Sequence, residues 1–327
     1  MKALPENTID GMGRRLPGMR ILVVGGNGFI GRHVVRQLHS AGTRVTIMDV
    51  GHAPDAWPGL DQVIGSVQDT GLVASAVTGC DMVIFLANSS LPASANVDLA
   101  AEVDAHVKST VKVAEICYSL KVKRFVFASS GGTVYGYSSD EPLHEDMPTR
   151  PRNAYGASKL AIEHYLRILR MRGGMETISL RISNPYGEGQ RAVRNQGFIA
   201  AAIEHALTGN PLPIWGDGSI QRDFVHVSDV ARAFLAACEI DNPPEVVNIG
   251  SGKAVSLRQI LAILEELLER KIACEYHPGR SIDVSRNFLN IRLAQKRLGW
   301  KPFIDLRNGL LRTVEWWREK QQQVREP

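Results

Sequence analysis

Tyr155 and Lys159 stand four positions apart in Tyr155-Gly156-Ala157-Ser158-Lys159. That spacing puts a phenol and an amine on one face of a helix. A free phenol titrates near pH ~10 and is a poor base at neutrality, but an ammonium beside it favours the phenolate and lowers that value. The pair could take a proton from an alcohol. A hydroxyl to hold the same oxygen is available upstream in Ser129-Ser130-Gly131-Gly132-Thr133-Val134-Tyr135-Gly136, at the end of an apolar run. Ser129, Ser130 and Thr133 each qualify. By itself, Tyr-x-x-x-Lys is more often a surface pair. Its weight here comes from the elements that precede it.

The first of these is Arg20-Ile21-Leu22-Val23-Val24, an apolar run expected to be a buried parallel strand. It ends in Gly25-Gly26-Asn27-Gly28-Phe29-Ile30-Gly31, with glycines at 25, 28 and 31. A helical pattern follows, apolar at Ile30, Val34, Val35 and Leu38. Val45-Thr46-Ile47-Met48 reads as a second strand with Asp49 at its carboxyl end. In such an order the first glycine permits a tight turn, the second admits a pyrophosphate and the third lets helix and strand pack closely. Asp49 lies where a carboxylate grips an adenosine ribose, and it would repel a 2′-phosphate. Val50, Gly51 and His52 offer no cation to welcome one, so NAD is expected rather than NADP.

Apolar strands and helical patterns then alternate. Strands are expected at 62–69, 81–87, 124–130 and 177–181, and helices at 70–78, 97–120 and 152–171. Alternation of this kind predicts a doubly wound parallel sheet, a Rossmann-type α/β fold with ligand outside the carboxyl ends of the strands. From Asn184 onward glycine, proline and isolated aromatics become frequent, which suggests a smaller C-terminal α/β substrate domain. The expected division is a loose leader at 1–18, a dinucleotide-binding domain at 19–186, and a substrate domain at 187–224 and 251–327. Strands within 225–250 are expected to rejoin the large sheet. Further helices are expected at 197–208 and 229–239, at 257–268 with Ser256 as N-cap, and at the end of the chain around Leu310, Trp316 and Trp317.

Composition sets outer bounds. The 327 residues are 44% hydrophobic and 22% charged, as in globular proteins, and the net charge of +4 is too small and scattered to argue for nucleic acid. Cys80, Cys117, Cys238 and Cys274 form no paired motif, which argues against a metal site or disulfide framework and fits a reducing cytoplasm. No apolar run reaches the ~18 residues that span a bilayer.

With these residues in place, the chain resembles an extended short-chain dehydrogenase/reductase of the NAD-dependent nucleotide-sugar epimerase/dehydratase family, most closely UDP-sugar 4-epimerases. The likeness runs from Met19 to about Trp317. It implies Tyr155 as acid/base, Lys159 as its partner on the nicotinamide ribose, and Ser130 as the hydroxyl, with Ser129 or Thr133 as alternatives because of the Gly-Gly insertion. It implies NAD held by Gly25, Asn27, Gly28, Phe29, Ile30, Gly31 and Asp49. Ser66 and Val67, Leu86, Ala87 and Asn88, His106 and Ser129 complete that set. Leu180-Arg181-Ile182-Ser183-Asn184-Pro185-Tyr186-Gly187 matches the segment in which Asn184 meets a diphosphate, and Gln196 falls where a polar residue touches the nucleotide sugar. Arg222 and Arg280 are implied on the diphosphate, Asp283 on the nucleoside ribose, and Asn287 where side-chain bulk limits the substituent at sugar C2. Departures are Ser66 in place of an acid, Phe85 and Asn88 around Leu-Ala, and His106 in place of an asparagine.

A family 4,6-dehydratase needs an Asp-Glu pair beside its hydroxyl, where this chain has Gly131, Gly132 and Thr133. The resemblance therefore favours a 4-epimerase of a UDP-linked sugar, with a UDP-uronate decarboxylase or a 4-keto-sugar reductase as alternatives. A catalytically silent NAD-binding protein is disfavoured by intact Tyr155 and Lys159. A homodimer through helices 97–120 and 152–171 is also implied.

Overall fold

The computed structural model describes residues 15–52, 57, 59–88, 95–191, 197–280 and 284–325. In chain order the first half comprises β1 (Arg20–Val24), α1 (Phe29–Ser40), β2 (Arg44–Asp49), β3 (Asp61–Ile64), α2 (Thr70–Val77), β4 (Met82–Phe85), α3 (Leu99–Glu102), α4 (Ser109–Ser119), β5 (Arg124–Ser130), α5 (Ala154–Met171) and β6 (Glu176–Ile182). The second half comprises β7 (Asn184–Tyr186), α6 (Phe198–Thr208), β8 (Leu212–Trp215), β9 (Gln221–Arg222), β10 (Phe224–His226), α7 (Val227–Glu239) and β11 (Val246–Ile249). It closes with β12 (Val255–Ser256), α8 (Leu257–Leu268), β13 (Cys274–His277), β14 (Arg286–Asn287) and α9 (Leu306–Arg325).

Seven strands form one parallel sheet in the order β11-β6-β5-β4-β1-β2-β3. The strand order reverses at β1, which has β4 on one side and β2 on the other. A crevice therefore opens at its carboxyl end. The central strands are buried on both faces, which is why their sequences are apolar runs rather than alternations. Val34, Val35 and Leu38 of α1 pack with Ala233, Phe234 and Ala237 of α7 over one face. Val73 of α2, Val113 and Cys117 of α4, and Ile162 and Leu166 of α5 cover the other. Each buried Val, Leu, Ile or Phe among them contributes roughly 1.5–3 kcal/mol, and the alanines less.

Caps fix where these helices begin. Asp69 Oδ1 accepts from the Leu72 amide at 3.0 Å, and Asn153 Oδ1 accepts from the Gly156 amide at 2.8 Å. Ser256 and Gln259 form a reciprocal capping box at the start of α8. The helical pattern expected over 97–120 is nearly continuous, but Val103–Lys108 widens to a π-type turn between α3 and α4.

A second apolar cluster gathers Ile199 and Ile203 of α6, Ile214 of β8, Leu264 of α8, and Leu310 and Val314 of α9. Its small sheets are long-range: β13 pairs with β8, and β14 and β12 flank β9. α9 comes so close to the end of β7 that a methyl on Gly309 would collide with the Tyr186 phenol.

Two expectations need correction. The packed body begins before Met19: Leu16 is 0% exposed in the first core, and Arg15 pairs with Asp241 at 2.6 Å. A single apolar residue among prolines and glycines gave no periodic signal. Of the strands within 225–250, β11 rejoins the large sheet beside β6, but β10 pairs with β7 instead.

The two units meet around α1. His33 lies 2.9 Å from the Glu188 carbonyl oxygen, and burial lowers its pKa to about 4. A histidine held neutral when folded binds more protons when unfolded, so its contribution to stability falls as pH drops from about 6.5 towards about 4. The thermal midpoint should fall between pH 7 and pH 5, and fall less in His33→Asn. An equal fall in the variant, by circular dichroism, would remove His33 from the account.

Candidate active site

A cavity of about 1040 Å³ runs along the carboxyl ends of β1, β2, β4 and β5 and continues into the second unit. Asp49, Ser66 and Val67 line one end; His106, Ser130, Thr133 and Tyr155 line the middle; Trp215, Arg222 and Arg280 line the other end.

The first end is shaped by the glycines. Gly25 has φ +83°, and a methyl there would lie 2.7 Å from the Ala87 amide nitrogen, so the turn after β1 and the segment after β4 touch backbone to backbone. A methyl on Gly31 would strike the Gly25 carbonyl oxygen, which is the close helix–strand packing its spacing predicts. No side chain caps α1 at Gly28. The first-turn N–H groups therefore lie where Gly28, Phe29, Ile30 and Gly31 wall the cavity. Asp49 accepts from the amides of Asn27 and Val50 at 2.9 and 2.8 Å, which fixes its carboxylate at the tip of β2. Asn27 is therefore a brace behind the wall, with its own amide donating to the Gly51 carbonyl at 2.7 Å. Leu86, Ala87 and Asn88 complete the wall on the β4 side. An open helix start, a glycine turn and a ribose-height carboxylate fit an adenine dinucleotide.

The middle is built on the end of β5. Lys159, almost wholly buried, donates to the Ala128 carbonyl oxygen at 2.9 Å and lies 4.8 Å over the Phe127 ring. The Ser129 hydroxyl donates to Glu163, which is also held by Arg181 at 2.7 Å; this places Ser129 behind the wall. Ser130 and Thr133 face the cavity together with Tyr155. Strand alternation makes that choice, since successive side chains point to opposite faces.

Tyr155 departs from its sequence expectation. Burial, reinforced by the Glu102 carboxylate, pushes its phenol up to about 12 rather than down. The Lys159 ammonium lies 5.4 Å over the tyrosine ring and is bonded to a carbonyl. Burial brings Lys159 down to about 8, against the opposing pull of Glu102 and Glu163.

At the third end, Arg222 donates to the carbonyls of Val284 and Gln221 at 2.6 and 2.9 Å, and the Arg280 guanidinium lies 4.7 Å from the Trp215 ring centre. Asn184 lines the cavity while donating to the Asp223 carbonyl at 2.9 Å. Asn287 is buried away from the cavity, with its amide on the Gly131 carbonyl at 3.3 Å. Gln196 and Asp283 lie outside the described residues. The sequence reading passed over Gln68, Gln190 and Phe198, which also line the cavity, and Glu102, buried beside His106. Glu102 and His106 share the i, i+4 spacing of Tyr155 and Lys159, a signal overlooked inside a long helical pattern.

Comparison with known proteins agrees with this geometry. Residues 21–250 match the family model for the NAD dependent epimerase/dehydratase family. The chain is 32% identical over 313 residues to the UDP-glucose 4-epimerase of Mycolicibacterium smegmatis, covering 93% of this chain and all of the relative. It is 30% identical over 305 residues to dTDP-4-dehydro-6-deoxyglucose reductase of Escherichia coli, covering 90% of this chain and 96% of the relative. The crystal structure of Thermotoga maritima UDP-glucose 4-epimerase with UDP-glucose superposes with a TM-score of 0.88 at 32% identity, covering 93% of this chain and 100% of that one. An open α1 terminus, a braced Asp49 and Tyr155 on one cavity, with Lys159 buried on the same helix, in a chain that matches these proteins over nearly its whole length, identify an enzyme of the NAD-dependent epimerase/dehydratase family, within the extended short-chain dehydrogenases/reductases, whose cofactor is NAD.

Proposed function

We propose that this enzyme epimerises a nucleotide-diphosphate sugar at C4, of the UDP-glucose or UDP-N-acetylglucosamine type, through a transient 4-keto sugar. The observation that carries the reading is the single cavity joining the dinucleotide end to Arg222 and Arg280, with Tyr155, Ser130 and Thr133 between them. When bound, NAD supplies reversible two-electron oxidation of an alcohol carbon. The residues that would hold it are the Gly25–Gly31 turn, Asp49, Ser66, Val67, Leu86 to Asn88, His106 and Lys159. Tyr155 takes the C4 hydroxyl proton and later returns it, while Ser130, with Thr133 beside it, hydrogen-bonds the same oxygen. Arg222 and Arg280, assisted by Asn184, Gln196 and Asp283, hold the diphosphate and nucleoside by charge-assisted bonds. With the nucleotide anchored, the keto sugar can turn and present its other face.

Dehydration is disfavoured by residue type. A methyl on Gly131 would lie 2.6 Å from Leu289 and 2.9 Å from the Arg181 carbonyl oxygen, so an acid has no room at that one position, and Gly132 and Thr133 supply none. The Escherichia coli relative keeps 4-keto-sugar reduction as the second reading. Among the described residues no helix is long and apolar enough to cross a membrane.

A homodimer forms part of this proposal. Val97 and Met171 are 86% and 75% exposed, and Leu99, Val103, Tyr165 and Ile168 are exposed beside them on helices that pack together. An apolar face of this kind on α3, the π-type turn after it and α5 suits a second copy presenting the same surface. Light scattering should give twice the chain mass, and Ile168→Glu with Met171→Glu should give the monomer; a monomeric wild type would refute the interface.

Purified protein given UDP-glucose, UDP-N-acetylglucosamine or UDP-glucuronate without added NAD should yield a C4-inverted sugar, identified by NMR, with no net NADH. Tyr155→Phe should lower turnover by about 10²–10⁴-fold. Carbon dioxide and a pentose from the uronate, or turnover only of 4-keto sugars, would replace the epimerase reading. Ser130→Ala should lower turnover with the thermal midpoint unchanged. Ser129→Ala should instead cost about 1–3 kcal/mol of stability, because it leaves the buried Glu163 short of a donor. Reversed outcomes would place the working hydroxyl on Ser129.

A further inference from the structure

Glu102 is a buried acid that the proposed reaction leaves without a task. It closes α3 and is 5% exposed. Its Oε1 has no hydrogen-bond partner among the described residues, and its Oε2 lies 3.7 Å from Nε2 of His106. His106, 6% exposed, is on the cavity wall. The two are joined by the π-type turn Val103–Lys108, a departure from α-helix that re-aims side chains and recurs at functional sites. A carboxylate out of water is costly unless a charge answers it.

The answering charge is Lys159 on α5, which packs against this turn. Glu102 favours the Lys159 ammonium and disfavours the Tyr155 phenolate. The other acid acting on Lys159 is Glu163, but Arg181 already bonds it at 2.7 Å and Ser129 donates to it, and its pull on Lys159 ranks behind that of Glu102. His106 has its pKa lowered, chiefly by burial, and so brings little competing positive charge. Asp104 and Lys108, on the same turn, pair with one another at the surface. Glu102 therefore lies beside His106 along its own helix, and that helix and turn pack against α5, which carries Tyr155 and Lys159.

We propose that Glu102 is a positioning residue for the proton transfer: its buried carboxylate, steered by His106, is the counter-charge that keeps Lys159 an ammonium and sets the pH window in which Tyr155 works. The proposal rests on Tyr155 as the base of the reaction above. No bond is made or broken at Glu102.

The sign of the effect follows. Removing the negative charge destabilises the ammonium and stabilises the phenolate, so both groups titrate at lower pH. Lys159, held to about 8, can be followed directly by its ε-carbon in ¹³C-lysine-labelled protein, assigned by its loss in Lys159→Met. In Glu102→Gln its titration should move down by about one pH unit, with a smaller move in Glu102→Asp, which keeps the charge. The limbs of the turnover–pH profile should move the same way. An unmoved Lys159 titration in folded Glu102→Gln would overturn the proposal, even if activity falls. Should that variant fail to fold, His106→Ala, which lets the carboxylate turn away, should shift Lys159 in the same direction, and an unmoved titration there would also overturn it. The titration needs no substrate. A wild type that turns over no nucleotide sugar would therefore sink the proposed function and leave this test standing.

Discussion

Three consecutive residues at the end of β5 hold the candidate site together, and they do so because a strand alternates. The Ala128 carbonyl holds Lys159, the Ser129 side chain goes back to Glu163, and the Ser130 side chain goes forward to the cavity. Behind the wall the chain of contacts continues from Glu163 to Arg181, from Arg181 to the Tyr135 hydroxyl at 3.1 Å, and from Tyr135 to Asn248 at 2.8 Å. Those bonds tie β5, β6, α5 and β11. A one-residue slip of β5 that put Ser129 in the cavity place would put Ala128 behind the wall and take the seryl donor from Glu163. The register of a buried parallel strand is thus also the register of the chemistry.

The second unit depends on one carboxylate in a comparable way. Asp223 is fully buried and accepts from the amides of Ser251, Gly252 and Leu289 at 2.6, 3.1 and 3.1 Å, and from the Ser251 hydroxyl at 2.7 Å. Two chain segments that are distant in sequence, one at Ser251 and Gly252 and one at Leu289, converge on it. Its neighbours in sequence and space, Arg222 and Asn184, line the cavity. Burial raises its pKa, and the amides and the hydroxyl pull the other way by bonding the charged form.

Much of the first unit was legible because its signals are local. Apolar runs, glycine spacing and capping residues each act within a few positions, so β1, α1, β2, α5 and the Ser256 cap follow from the sequence. What escaped was long-range. The placement of Leu16 in the core, the pairing of β10 with β7, and the direction of the Tyr155 shift all depend on segments far away in the chain. Tyr155 is the instructive case: the spacing correctly put an amine on its helix face, but how deeply the pair is buried, and that the amine bonds a carbonyl, are properties of the fold around it. Asn287 illustrates the same limit, since its place in sequence gave no sign that it turns towards Gly131 and away from the cavity.

The pairing of β8 with β13 and of β9 with β14 has a consequence for how the protein is born. All seven strands of the large sheet have been made once the chain reaches β11, so the dinucleotide end can close while synthesis continues. Trp215 and Arg222 must wait for strands that leave the ribosome later, several seconds later at about 5–20 residues per second. Through that interval Ile214 and the apolar face of α6 are without their covers from α8 and α9. The nascent chain thus exposes its unfinished second unit just when the large sheet is complete, and this is the stage at which a chaperone has most to cover.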